Sequence, residues 1–192
     1  MSRFLFLIWT ATMPLEETRF EHTYKQSYDT SCGIEAMATL LGKFWGLDVT
    51  AREVFLDMTA ELPEDAQGFA TNFADMAGYM GTHGIAARGF RMGWEELEQA
   101  LAGGFGPIVV HYDRPVGHFA LLLHIEGDFA FLSDPSTGAV IVDRASFLRR
   151  FSGNVLLAAS ATRTVDREFL NTAVDRQNLM LSRLRRVAGN RI

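Results

Sequence analysis

Hydrophobic positions in the first half of the chain recur at the three- and four-residue spacing of amphipathic helices. Ile34, Met37 and Leu41 lie on one such stripe, and the residues before it, 29–31, are typical helix N-cap types. This pattern predicts a buried helix over residues 32–44. Similar patterns predict helices over residues 50–58, 70–82 and 94–102, a loop over residues 63–68 and a short strand over residues 86–92.

The pattern changes after Gly103, where apolar runs of strand length replace the helical spacing. Gly127 and Asp128 separate two of these runs and are typical of a hairpin turn. The runs predict strands over residues 107–112, 118–126, 129–133, 139–142 and 155–159, and a short helix over residues 145–151. Helices followed by a strand-rich half predict an α+β fold, in which the N-terminal helices pack on a mostly antiparallel sheet.

Composition narrows the class of protein. The 192 residues are 48% hydrophobic and 21% charged, which is typical of a globular chain and excludes a disordered, collagen-like or coiled-coil protein. The formal net charge of -5 argues against a nucleic-acid partner. Because the chain has one cysteine and no paired-histidine motif, we expect neither a disulfide framework nor a metal site.

The N-terminus allows two interpretations. Arg3 precedes an apolar run at residues 4–9 that resembles a minimal signal peptide but is too short to span a bilayer. Alternatively, Met13 is the true start residue. We expect a cytoplasmic location, or a periplasmic one if the apolar run is a real export signal.

The C-terminal segment is predicted to be a helix. Its apolar stripe occupies positions 165, 169, 173, 180, 184 and 187, with Gln177 as a gap. From residue 161 onward, seven arginines stand against three acidic residues. We interpret this helix as packed on its own domain or on another subunit; docking to a partner or peripheral contact with an acidic membrane are the alternatives. The chain therefore divides into an N-terminal segment (1–20), a central domain (21–160) and a C-terminal amphipathic helix (161–192).

Four side chains carry candidate chemistry, and each also has a plain structural interpretation. Cys32 begins the first predicted helix, where the helix dipole stabilises a thiolate, yet a lone cysteine is often a small buried hydrophobe. His118 begins a strand and is a candidate general base, or an ordinary polar residue at a strand end. Asp134 either fixes the tautomer of His118 or forms an Asp-Pro turn. Gln26 either donates into an oxyanion hole or lies on the surface.

Two glycines flank these candidates. Gly33 leaves room for a substrate backbone beside Cys32. Gly117, directly before His118, is the second predicted substrate-binding residue.

Three short motifs carry the candidates: Gln26-Ser27-Tyr28-Asp29-Thr30-Ser31-Cys32-Gly33, then Gly117-His118-Phe119-Ala120, then Ser133-Asp134-Pro135 followed by Gly138. Together they resemble the C39 family of papain-like cysteine peptidases, best known as the double-glycine leader peptidases of bacteriocin and peptide exporters. The spacing of six residues from Gln26 to Cys32 matches the family pattern, as does the spacing of sixteen from His118 to Asp134. The resemblance covers about residues 21–160.

The resemblance implies a papain-like fold and a cysteine endopeptidase of a bacterial peptide-maturation or secretion system. Cys32 would be the nucleophile and His118 the base and then the acid. Asp134 would orient His118, and Gln26 would complete the oxyanion hole. No cofactor is implied. The expected substrate is a peptide or protein cleaved after small residues, typically a Gly-Gly pair.

Two features depart from the family pattern. Ser31 occupies the position where the family usually has aspartate, and neither a membrane span nor a nucleotide-binding P-loop accompanies the motifs. We therefore expect a stand-alone form without an ABC transporter. Two alternative functions stay open: a catalytically silent module that binds peptides during export, and a papain-like transferase or amidase.

Overall fold

A computed structural model describes residues 15–27, 31–60 and 71–189 of the chain. Its elements follow in this order: α1 (Leu15–Phe20), α2 (Cys32–Ala38), a π-helical segment (Thr39–Phe44), α3 (Ala51–Thr59), α4 (Phe73–Thr82), β1 (Ala86–Arg91), α5 (Trp94–Ala102), β2 (Ile108–Tyr112), β3 (His118–Glu126), β4 (Phe129–Asp134), β5 (Gly138–Asp143), α6 (Arg144–Arg150), β6 (Phe151–Ala159) and α7 (Arg167–Gly189). The predicted α+β class is confirmed.

The helix starts follow local capping chemistry. Thr50 and Glu53 form a reciprocal capping box at the start of α3. Asn72 caps α4 by accepting hydrogen bonds from the backbone N–H groups of residues 74 and 75, so α4 begins at Phe73 and not at residue 70. Ser31 precedes α2 but makes no side-chain cap. The other cap candidates, 29 and 30, lie outside the described residues, as do the apolar run 4–9 and the loop 63–68.

The predicted helix over residues 32–44 forms, but its second half is π-helical. In that half the backbone N–H of Trp45 donates to the carbonyl oxygen of Leu40, five residues earlier. Every residue of α2 is buried, because this helix packs between the sheet and the other N-terminal helices.

The six strands form one antiparallel sheet in the order β1-β6-β2-β3-β4-β5. The last strand is four residues longer at its start than the sequence predicted. The extra residues of β6 pair with both neighbouring strands: Phe151 pairs with Tyr112 of β2, and Asn154 pairs with Arg91 of β1. Gly153, with φ of 84°, adopts a conformation that suits glycine and lets the strand continue through a segment that has the composition of a turn.

The central strands of the sheet are buried on both faces. One face of β3 contributes Phe119, Leu121 and Leu123 to a core shared with α2, α3 and α4. The intervening residues, Ala120 and Leu122, belong to a second core on the opposite face, shared with α5 and α6. The alternation follows from the two-residue period of a strand. The central strands therefore lie between two layers of helices, α2 to α4 on one face and α5 and α6 on the other.

The C-terminal helix α7 packs on the chain's own domain, but its buried stripe differs from the predicted one. Gln177 is not a gap, since it is 2% exposed and its Nε2 donates to the carbonyl oxygen of Leu132. Met180 is 40% exposed and lies outside the buried stripe. The buried positions of this segment are Val165, Leu170, Ala173, Gln177 and Leu181. Positions 184 and 187 lie outside the side chains that the structure describes. Within the described residues, none of the helices combines the length and apolarity needed to cross a membrane.

Candidate active site

A histidine and a carboxylate meet where β3 begins and β4 ends. Because the two strands are antiparallel, the first residue of β3, His118, lies at the same end of the strand pair as the last residue of β4, Asp134. His118 Nε2 lies 3.0 Å from Asp134 Oδ2. The other oxygen of Asp134, Oδ1, accepts the backbone N–H groups of Ser136 at 2.7 Å and Thr137 at 3.1 Å. Asp134 therefore forms the predicted turn and also contacts His118.

The electrostatics of this pair favour a charged imidazole. Burial by itself lowers the pKa of His118, but the hydrogen bond to Asp134 and the contact with the Cys32 thiol outweigh burial and raise the pKa to about 9. Burial raises the pKa of Asp134, yet the hydrogen bonds that it accepts outweigh burial and hold the pKa below its ordinary value. At neutral pH the pair is an imidazolium and a carboxylate.

Cys32 is brought to this pair by the N-terminus of α2, where it is 6% exposed. Its thiol acts on the pKa of His118 through a hydrogen bond and through charge, which shows that the two side chains are neighbours. Since Asp134 occupies Nε2, the remaining ring nitrogen of His118, Nδ1, is the one available to the thiol. The sequence-predicted residues 32, 118 and 134 therefore come together, although they lie on a helix and two strands.

Gln26 joins the same site through contacts with the turn after Asp134. Its backbone N–H donates to the carbonyl oxygen of Pro135 at 2.7 Å. The hydroxyl of Ser136 donates to the side-chain oxygen Oε1 of Gln26 at 2.6 Å. Because this bond occupies the oxygen of the amide, the NH₂ group remains as the hydrogen-bond donor of the Gln26 side chain. Sequence reasoning missed Ser136, because its partner lies 110 residues away. The only local signal was a hydroxyl two residues after the candidate aspartate.

Two recesses meet at Val116 and Gly117, which line both of them. The first, which we call the carboxylate recess, has a volume of about 320 Å³ and includes Gln26, His118, Asp134, Ser136 and Arg150. The second, the thiol recess, has a volume of about 490 Å³ and includes Cys32, Thr71, Phe73, His111 and Phe119. The candidate nucleophile and the candidate base thus line adjoining parts of one cleft.

The two predicted substrate-binding glycines differ in their surroundings. A Cβ on Gly33 would lie 2.8 Å from Thr71 Cβ and 2.9 Å from Met76 Cε, so the space beside this glycine is filled by the protein. The position therefore admits no side chain, and Gly33 lines the thiol recess next to Cys32. Gly117 is exposed, and a Cβ there would meet nothing nearer than His111 Nε2 at 3.6 Å.

A buried carboxylate that the sequence did not single out supports the start of α2. Glu35 is 3% exposed, and its Oε1 accepts the hydroxyl of Ser31 at 2.9 Å and the backbone N–H of Ser27 at 3.2 Å. Burial raises the pKa of Glu35 above its ordinary value, although the accepted hydrogen bonds oppose this. Glu35 ties the residue after Gln26 to the helix that carries Cys32. A glutamate within a buried apolar stripe was the available signal.

Metal binding has no support among the side chains that the structure describes. Residues 15–27, 31–60 and 71–189 contain no group of three or more histidine, cysteine, aspartate or glutamate side chains placed to hold an ion. The chemistry available at the cleft is that of a thiol, an imidazole, a carboxylate and an amide.

Comparison with known proteins assigns the family. Residues 21–163 match the Peptidase C39 family. A probable functional amyloid protease, FapD, from Pseudomonas fluorescens is 31% identical over 153 residues, covering 78% of this chain and 65% of that protein. The Pseudomonas aeruginosa FapD is 29% identical over 150 residues, with the same two coverages. The chain thus spans 65% of the length of these relatives.

Solved structures agree on the fold. The crystal structure of a double glycine motif protease from an AMS/PCAT transporter, in complex with the leader peptide, has a TM-score of 0.58 at 25% identity; the match covers 70% of this chain and 87% of that one. The peptidase domain of Streptococcus ComA has a TM-score of 0.57 at 13% identity, covering 72% of this chain and 97% of that one. The fold is that of papain-like peptidase domains, and the chain belongs to the Peptidase C39 family.

Proposed function

We propose that this chain is a cysteine endopeptidase that cleaves peptide bonds after small residues, with Cys32, His118, Asp134 and Gln26 as its catalytic residues. The observation that carries the proposal is the 3.0 Å contact between His118 and Asp134 beside the Cys32 thiol. Membership of a peptidase family supports hydrolysis of peptides, and the geometry supports the thiol as the group that attacks.

The charge state of the pair suits covalent catalysis. An imidazolium beside Cys32 stabilises the thiolate, which is the nucleophilic form of cysteine. The thiolate sulfur attacks the substrate carbonyl carbon, and the carbonyl oxygen becomes an oxyanion. His118 then gives its Nδ1 proton to the leaving amine, and the C–N bond breaks to leave an acyl-enzyme. In the second half, His118 takes a proton from water, and the resulting hydroxide releases the product acid and the thiolate.

Asp134 and Gln26 have distinct roles in this scheme. Asp134 holds the Nε2 proton of His118, so that Nδ1 faces the thiol in both halves of the reaction. In this scheme the amide NH₂ of Gln26 and the backbone N–H of Cys32 stabilise the oxyanion, and the hydrogen bond from Ser136 to Gln26 supports this orientation of the amide. Such a donor typically contributes about 2.7–4 kcal/mol to transition-state stabilisation.

The names of the relatives suggest the substrate class. One similar structure is a double glycine motif protease bound to a leader peptide, and the FapD relatives are named as probable functional amyloid proteases. We therefore assign this chain a peptide or protein substrate with a glycine-rich cleavage site, in a bacterial secretion or peptide-maturation system. The exposed Gly117 at the junction of the two recesses suits a substrate with small side chains there. The division into a central domain (21–160) and a C-terminal amphipathic helix (161–192) is part of the same proposal.

The test is hydrolysis of an internally quenched peptide with a central Gly-Gly pair. We expect Cys32→Ala and His118→Phe each to lower kcat/KM by at least about 10³-fold. His124→Phe is the matched control and should keep the wild-type rate, since His124 lies on the same strand away from the cleft. Thermal melting of each variant checks the fold.

Three outcomes would contradict the proposal. A Cys32→Ala protein that still cleaves excludes the thiol as nucleophile. A wild-type protein that binds the peptide without cleaving it is a silent binding module. Mass spectrometry in the presence of a primary amine would identify a transferase, if the amine replaces water in the product.

A further inference from the structure

The thiol recess contains one histidine, His111, which the proposed mechanism does not use. His111 lies on β2 in register with Phe119 of β3, and the two ring centroids are 4.9 Å apart. The centroid of the Phe73 ring lies 5.3 Å from that of Phe119 and 6.3 Å from that of His111. Three rings therefore form one wall of the recess that contains Cys32.

The hydrogen bonds of Ser152 indicate which ring nitrogen of His111 is protonated. The single hydroxyl proton of Ser152 goes to the carbonyl oxygen of His111, at 2.9 Å. The Ser152 oxygen is therefore an acceptor toward His111 Nδ1, 3.1 Å away, as it is toward the backbone N–H of Asn154. It follows that Nδ1 is the protonated nitrogen.

The other nitrogen, Nε2, consequently presents a lone pair. Burial lowers the pKa of His111, a positive charge on His118 lowers it further and Asp113 opposes both, so the ring is neutral at neutral pH. Nε2 has no hydrogen-bond partner among the described residues, and it lies beside Gly117, where a Cβ would be 3.6 Å away. It is an acceptor at the junction of the two recesses.

We propose that His111 Nε2 binds the substrate by accepting a hydrogen bond from a backbone N–H of the peptide that passes Gly117. This inference rests on the proposed function and adds a substrate-binding residue to it. An extended peptide offers one N–H per residue, and glycine at this point lets the peptide backbone approach both Gly117 and the ring. With the proton on Nδ1, Nε2 of His111 can accept a hydrogen bond from a peptide N–H. It forms no hydrogen bond with an ester oxygen, which has no proton to donate.

The experiment measures binding in the Cys32→Ala background, so that cleavage does not interfere. A labelled Gly-Gly peptide is compared with analogues in which one backbone N–H at a time is replaced by an ester oxygen. We expect His111→Phe to raise Kd about 3- to 10-fold, the size of one hydrogen bond. One ester position should raise Kd similarly in the His111 protein and leave Kd unchanged in the His111→Phe protein.

Two controls separate recognition from packing. His124→Phe removes a histidine from a neighbouring strand and should leave Kd unchanged. Ser152→Ala keeps the His111 ring but releases its fixed tautomer, so it should raise Kd by less than His111→Phe does. The inference is overturned if His111→Phe binds as tightly as the His111 protein. It is also overturned if no ester position loses its effect in that variant, or if the Gly-Gly peptide binds neither protein. Hydrolysis by the wild-type chain is scored separately, so binding without cleavage contradicts the proposed function and leaves the assignment of His111 standing.

Discussion

The carboxylate recess and the thiol recess each contain one histidine, and the two histidines have opposite electrostatics. His118 has a carboxylate at Nε2 and a thiol nearby, and its pKa is raised to about 9. His111 has a serine hydroxyl at Nδ1, and burial lowers its pKa. The difference shows that a hydrogen-bonded carboxylate, together with a neighbouring thiol, turns a half-buried imidazole into a cation, whereas a serine hydroxyl leaves it a neutral acceptor. Our two proposals accordingly give proton transfer to His118 and peptide recognition to His111.

Removing that ionic partner gives the largest expected effect. Asp134→Asn takes away the charge that keeps His118 protonated, so the pKa of His118 should fall toward its ordinary value and kcat/KM should drop by about 10²–10⁴-fold. NMR titration of the histidine ring and steady-state hydrolysis measure the two effects. Asp128→Asn, on the exposed turn between β3 and β4, is the matched control. An unchanged pKa of His118 in Asp134→Asn would show that Asp134 does not cause the difference between His118 and His111.

The oxyanion donor of the carboxylate recess gives the next largest effect. Gln26→Ala should lower kcat by about 10²–10³-fold with KM little changed, because the donor acts on charge that develops in the transition state. Ser136→Ala, which only releases the amide from its 2.6 Å hydrogen bond, should cost less than Gln26→Ala. Single-turnover kinetics of the two variants make the measurement. A larger loss in Ser136→Ala than in Gln26→Ala would mean that Gln26 is not the oxyanion donor.

The smallest effect is on the pH dependence of stability. His118 binds its proton more tightly in the folded chain, so its stabilisation is complete below its unfolded pKa of 6.5 and is lost as pH rises through about 9. His111 acts in the opposite sense, because its lowered pKa destabilises the fold only as pH falls below 6.5. Urea unfolding should therefore give a midpoint that declines between pH 6.5 and 9 in the wild type, and less so in Asp134→Asn. Equal declines in the two proteins would contradict the assignment to His118.

Local patterns were sufficient for much of the fold. The helix over residues 94–102 forms with the predicted bounds, because glycines at 93 and 103 mark both ends. The strand over residues 118–126 also has its predicted bounds, set by the turn at Gly127. Such signals lie within a few residues of the element that they define, so no knowledge of the tertiary structure is needed.

The missed features depend on contacts between distant parts of the chain. Gln177 is polar and was taken as a gap, yet it is buried and its Nε2 donates to the backbone carbonyl of Leu132 in β4. The close approach of Thr71 and Met76 to Gly33, which leaves no space for a Cβ there, was not predicted from the sequence. The candidate residues 26, 32, 118 and 134 were found from their spacing, whereas Ser136 and Glu35, which position some of them, have no spacing rule. Their roles follow from hydrogen bonds that only the folded chain shows.

The strand order has a consequence for how the chain is made. β2, which carries His111, pairs with β3 on one side and with β6 on the other, and β1 has β6 as its neighbour. During synthesis Cys32, His118 and Asp134 all emerge before residue 151, but the sheet that supports them is still open on one side. Pairing across such sequence separations is slow compared with local folding. The sheet beside β2 is therefore completed only after β6 has been made, and we expect a truncated chain that ends before residue 151 to fold poorly and to be inactive.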